Sequence, residues 1–103
     1  MYLSIDIKEN IIEFIRSKLL KFSEINKIVL FGSFPKSQNP NDIDIAIIQN
    51  SKDNYLTLSL KYRKALRELS KKIPLDIVPI KNSIINSSFL DEINQGYVIY
   101  ERW

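Results

Sequence analysis

The stretch KIVLFGSFPKSQNPNDIDIAII, residues 27–48, decides how this chain folds. Lys27 to Phe31 is a short β-branched and aromatic run, which reads as a strand. Gly32 stops it. Ser33 to Asn41 holds two Pro, two Ser and two Asn, which is loop chemistry. Asp42 to Ile48 begins in alternation and ends fully apolar. A strand does this when one end is exposed and the remainder is buried.

Outward from this pair the pattern turns helical. Upstream, Ser4 can cap a helix running to about Lys21. Ile7, Ile11, Ile12, Phe14, Ile15 and Leu19 form one apolar stripe, with Glu13 and Arg16 opposite it and able to pair. Downstream, Asn50 to Asn54 reads as a turn, with Ser51 or Asp53 capping a helix that runs to about Lys72. Leu58, Tyr62, Ala65, Leu66, Leu69 and Ile73 form its buried stripe, and Pro74 ends it. Leu75 to Ile80 reads as a third strand, with Pro79 suited to an edge or a strand end. Ser87 or Ser88 can cap a short helix with Asp91 and Glu92 in its first turn and Gly96 at C′. Tyr97 to Tyr100 reads as a last strand or a packed tail.

The order α-β-β-α-β-α-(β) places the chain in the α/β (α+β) class, a small mixed β-sheet with helices packed on it. Residues 1–103 read as one domain. The long helix between the second and third strands permits a right-handed parallel crossover, which sets the starts of those strands side by side.

Composition narrows the chemistry. The chain has no Cys and no His, so disulfides, thiolate or imidazole metal sites and His-based triads are excluded. What remains is carboxylates, hydroxyls, Lys, Arg and metals held by oxygen. The N-terminus has acidic residues where a signal peptide would be basic then apolar, and no apolar run could span a bilayer, so a cytoplasmic protein without membrane contact is expected. A formal charge of +3 suits an anionic ligand without demanding one.

Asp42 and Asp44 stand two apart in the expected second strand, so their carboxylates face one side. A parallel crossover brings Asp76 to the same sheet end. Three carboxylates there repel unless a cation neutralises them, and oxygen ligands suit magnesium. Two such ions can hold the attacking and leaving oxygens of a phosphoryl displacement. Gly32 lets the backbone approach a phosphate closely, and Ser33 offers a hydroxyl and an N–H. Lys36 can add a point charge.

Leu30-Phe31-Gly32-Ser33, an eight-residue gap, Asp42-Ile43-Asp44, then Asp76 on a later strand resembles the glycine-serine and DxD signature of the DNA polymerase beta nucleotidyltransferase superfamily. The small size is similar to its minimal nucleotidyltransferase (MNT) branch. The resemblance implies that Asp42 and Asp44 bind two Mg2+ ions (Mn2+ as a substitute). Asp76 binds one of them and helps activate the attacking hydroxyl, while Gly32 and Ser33 hold the triphosphate of ATP. It also implies a partner. Minimal members commonly act as antitoxins beside a small helical HEPN ribonuclease toxin, transferring AMP to a toxin tyrosine.

Minimal members usually continue the Gly-Ser with Arg-Ala-Arg-Gly and a longer gap; here Phe34-Pro-Lys-Ser37 follows. Two readings therefore stand beside each other: an active adenylyltransferase, and a degenerate fold that neutralises its toxin by contact alone. Transfer to a small molecule such as an aminoglycoside is a third. The second helix carries Lys61, Arg63, Lys64, Arg67, Lys71 and Lys72 against Glu68. This is a solvated face or, alternatively, a surface for RNA or an acidic partner. Tyr97, Tyr100 and Trp103 complete the core, cover a sheet edge or offer a docking surface.

Overall fold

The computed structural model describes residues 2–81, 91, 93 and 95–102. Helix α1 (Ile5–Leu19) leads into strands β1 (Ile25–Phe31) and β2 (Ile43–Gln49), helices α2 (Tyr55–Ala65) and α3 (Arg67–Ser70), and strands β3 (Leu75–Lys81) and β4 (Tyr97–Glu101). The strands form one mixed sheet in the order β3-β2-β1-β4. β1 runs antiparallel to both β2 and β4, and β3 runs parallel to β2 across the α2–α3 connection.

Local chemistry sets the boundaries. The Ser4 hydroxyl accepts from the Ile7 amide at 3.2 Å, capping α1. Ile15 and Leu19 are fully buried, but Ile7 is 44% exposed, so the apolar stripe is narrower at its start than its spacing implies. Arg16 meets Glu13 at 2.6 Å, and its Nε donates to the Ile99 carbonyl at 2.9 Å, tying α1 to β4. The cap of α2 is Asn54, which accepts from the Thr57 amide at 2.8 Å, rather than Ser51 or Asp53. Ser51 is occupied instead by a local turn, accepting from the Asp53 amide. The expected helix to Lys72 breaks at Leu66, whose ψ of 18° leaves the helical range. Leu66, Leu69 and Ile73 are all buried across that bend.

Both faces of the sheet are covered at its centre. On one face Ile28, Leu30, Ile43, Ile45, Ile47, Ile77 and Ile99 join Ile15 and Leu19 of α1 and Leu58, Tyr62 and Leu66 at α2. On the other, Val29, Phe31, Ala46, Ile48 and Ile93 form a smaller cluster. Each large aliphatic side chain removed from water contributes about 1.5–3 kcal/mol. Burial on both faces explains the unbroken apolar run at the end of β2. Pro79 lies on β3, an edge strand, as its missing N–H requires.

At the far end of the chain, Tyr97–Glu101 is a strand rather than a tail. Tyr97 is largely exposed, Tyr100 packs against the core, and Trp103 lies outside the described residues. So does the helix expected after Ser87 or Ser88, apart from Asp91 and Ile93. Gly96 does not have the positive φ of a C′ glycine. It is required for another reason: a Cβ there would stand 2.6 Å from Val29 and 2.7 Å from the Leu30 carbonyl. No helix among the described residues is long and apolar enough to cross a membrane.

One polar cluster locks the connection between α1 and β1 to α2. Glu24 accepts from Lys61 at 2.6 Å and from the Tyr62 hydroxyl at 2.9 Å, and the Phe22 and Tyr62 rings meet edge to face at 5.4 Å. Burial opposes ionisation of Glu24, but the hydrogen bonds from Lys61 and Tyr62 and the Lys61 charge outweigh it and hold its carboxyl below its ordinary 4.5. A depressed carboxyl stabilises the fold above the unfolded value and loses that contribution as pH falls through the folded one. Glu24→Gln should therefore flatten the fall in thermal midpoint as pH drops below the ordinary carboxyl value of 4.5, followed by circular dichroism. Tyr62→Phe should cost about 1 kcal/mol at neutral pH in urea titrations.

Candidate active site

The carboxylates are placed by the pairing of β2 with β3. Asp44 and Asp76 are direct register partners on these parallel strands, and Phe31 is the partner of Asp44 on the other side. Opposed residues project to one face of a sheet, so Asp44 and Asp76 share the face of Phe31 and Ala46, away from α1 and α2. Asp42 lies in the bend just before β2, which starts at Ile43 rather than at Asp42. The Ile43 amide donates to the Pro74 carbonyl at 3.0 Å, fastening that bend beside the start of β3.

Gly32 follows Phe31 directly and has φ +71°. A Cβ there would stand 2.1 Å from Asp44 Oδ2, so the Asp44 carboxylate lies against the bare glycine backbone. Only glycine combines that dihedral with that approach. Ser33 to Ser37 then closes one turn, the amides of Lys36 and Ser37 donating to the Ser33 carbonyl at 3.1 and 2.8 Å. Phe34 anchors this turn in the core, while Ser33 and Lys36 remain exposed. A residue not singled out in the sequence holds it: Lys8 of α1 donates to the carbonyls of Phe34 and Ser37, each at 2.5 Å. Nothing in the helical pattern distinguishes Lys8 from other outward-facing lysines.

Gly32 thus lies against Asp44, the register partner of Asp76, with Ser33 next in the chain, Asp42 in the bend before β2 and Lys36 further along the loop. Among the described residues no three acidic side chains are drawn into a ready-made cation cage. Like charges converge only at an electrostatic cost, and the register pairs Asp44 with Asp76 while Asp42 stands one residue before β2. The donors are all oxygens and the backbone beside Asp44 carries no side chain, a set that fits a hard divalent cation and a phosphate. Asp76, Gly32, Ser33 and Lys36 are exposed, so the site is open. An apolar groove of about 350 Å³ between α1 and α3 is lined by none of these residues.

The family model for polymerase beta nucleotidyltransferases matches residues 9–103. The chain belongs to that family. No curated protein matches the sequence. Among solved structures, the fold resembles a chain assigned as a nucleotidyltransferase from Sulfolobus solfataricus. Its TM-score is 0.64 at 14% identity, covering 95% of this chain and 83% of that one. It also resembles a toxin–antitoxin structure with AMP-PNP, with TM-score 0.57 at 20% identity over 91% of this chain and 73% of that one. A third is the complex of tri-AMPylated Shewanella oneidensis HEPN toxin with MNT antitoxin, with TM-score 0.52 at 19% identity over 91% and 69%. At these identities the likeness is one of fold.

Gly32→Ala tests the close approach. The left-handed dihedral alone costs a non-glycine residue about 1–2 kcal/mol, and the new methyl group must displace the Asp44 carboxylate. Urea denaturation should show a loss of that size, and a crystal structure of the variant should show Asp44 turned away from residue 32.

Proposed function

We propose that this chain is a metal-dependent adenylyltransferase. It transfers AMP from ATP to a protein hydroxyl, a tyrosine of a cognate HEPN-type toxin, and so serves as that toxin's antitoxin in the cytoplasm. The observation that carries the chemistry is the Asp44–Asp76 register with Gly32 seated against Asp44. Support for the acceptor comes from the fold's likeness to an antitoxin in complex with an AMPylated toxin, and support for the nucleotide from its likeness to a structure with AMP-PNP. The open site suits a bulky protein acceptor, and the described residues carry no separate acceptor-binding layer.

Asp42, Asp44 and Asp76 would hold magnesium, or manganese in its place, which supplies charge neutralisation at the phosphates. Gly32 and Ser33 hold the triphosphate, with Lys36 as an added positive charge. Asp76, at the exposed edge strand, takes the proton from the acceptor hydroxyl. The hydroxyl oxygen forms a bond to the α-phosphorus, the bond from that phosphorus to the bridging oxygen breaks, and pyrophosphate leaves. With so little covalent work for the protein, catalysis is mainly positioning and charge stabilisation.

The loop Gly32-Ser-Phe-Pro-Lys-Ser37, with one Lys and no Arg, motivates a second reading in which the fold neutralises the toxin by contact without transfer. Incubation with α-labelled ATP, magnesium and the adjacent gene's product separates the two. The transferase reading expects label on a partner tyrosine, abolished by chelator and lowered about a hundredfold or more in Asp44→Asn. Neutralisation by Asp44→Asn equal to that of the unchanged chain, with no label in either, would establish the contact reading instead.

A further inference from the structure

Lys8 sits in the second turn of α1, where a lysine ordinarily extends into water. Here it folds back onto the loop after β1. Its ammonium donates to the Phe34 and Ser37 carbonyls, each at 2.5 Å, and stands 5.1 Å from the centre of the Phe34 ring. Among the described residues it has no acidic partner. The two acceptors have particular places in the chain: Phe34 directly follows Ser33, and Ser37 directly follows Lys36. The ammonium therefore joins the two ends of one turn, the same turn that the Lys36 and Ser37 amides close on the Ser33 carbonyl. The Leu3 amide donates to the Gln38 carbonyl at 2.7 Å, so the segment leading into α1 grips the loop at a further point.

We propose that Lys8 is a positioning residue for the triphosphate loop: by bridging the Phe34 and Ser37 carbonyls it fixes Ser33 and Lys36 relative to Gly32 and the carboxylates. The proposal rests on the transferase reading above. The loop contains no glycine beyond Gly32 and no arginine fork, so its hold on a phosphate depends on two short contacts, Ser33 and Lys36, being presented together. A charged donor reaching from a helix packed in the core restricts that turn before nucleotide arrives, which lowers the ordering cost of binding. Lys8 touches neither phosphate nor acceptor; it acts through the loop.

Lys8→Met keeps the aliphatic stem and removes the donors, and Lys8→Arg restores a charged donor. Two measurements on the full chain decide the matter: amide hydrogen exchange of Lys36 and Ser37, and calorimetric affinity for AMP-PNP with manganese. In Lys8→Met, exchange of those two amides should rise about tenfold and affinity should fall about tenfold, with the β-strand amides unchanged and Lys8→Arg recovering part of both. In turnover, KM for ATP should rise with kcat little altered. Unchanged loop exchange, or undiminished affinity in Lys8→Met beside clear binding by the unchanged chain, would overturn the positioning role while leaving the transferase reading intact. Failure of the unchanged chain to bind manganese and AMP-PNP would overturn the transferase reading and this role with it.

Discussion

The parallel pairing of β2 with β3 puts two carboxylates, Asp44 and Asp76, at one cross-strand position, an arrangement that electrostatics disfavours. The rest of the strand pair makes it tolerable. Ile43 faces Leu75, Ile45 faces Ile77, Ala46 faces Val78 and Ile48 faces Ile80, so almost every other rung of the ladder is apolar. A slip of one residue would turn each of these to the opposite face and drive the Asp44 carboxylate into the core under α1 and α2. The hydrophobic register thus holds the acidic pair in place, and the local repulsion is the condition under which a cation becomes a favourable neighbour.

The glycine turn is the complement of that pair. β1 must end at the level of Asp44 and leave the sheet without obstructing it, which Gly32 does with a left-handed dihedral and no side chain. The loop beyond is then closed by its own backbone, by the buried Phe34 and by α1. The site is therefore assembled from three layers of support: the sheet for the carboxylates, the glycine for access, and α1 for the loop.

The elements of the fold, and the strands and loop that carry the candidate site residues, were readable because they rest on short-range patterns. Alternation in Asp42–Ile48, the strand before Gly32 and the stripe on the second helix each report burial directly. The misreadings share another origin. The break at Leu66, the Asn54 cap in place of Ser51 or Asp53, and the exposure of Ile7 were settled by what each residue meets in space, and periodicity cannot see that competition. Gly96 was misread for the same reason: its constraint is the backbone of β1, far away in sequence.

By itself the sequence excluded imidazole and thiol chemistry, since it has neither His nor Cys, leaving carboxylates, hydroxyls, Lys and Arg, and it set Gly32-Ser33, Asp42 and Asp44 on either side of one loop. The tertiary structure alone decided that Asp76 aligns with Asp44 rather than with a neighbour, that the acidic face is the one without α1 and α2, and that Lys8 grips the loop. The physical reason is that register and side-chain capture depend on contacts between residues tens of positions apart. Those contacts become specified only when the whole core packs at once.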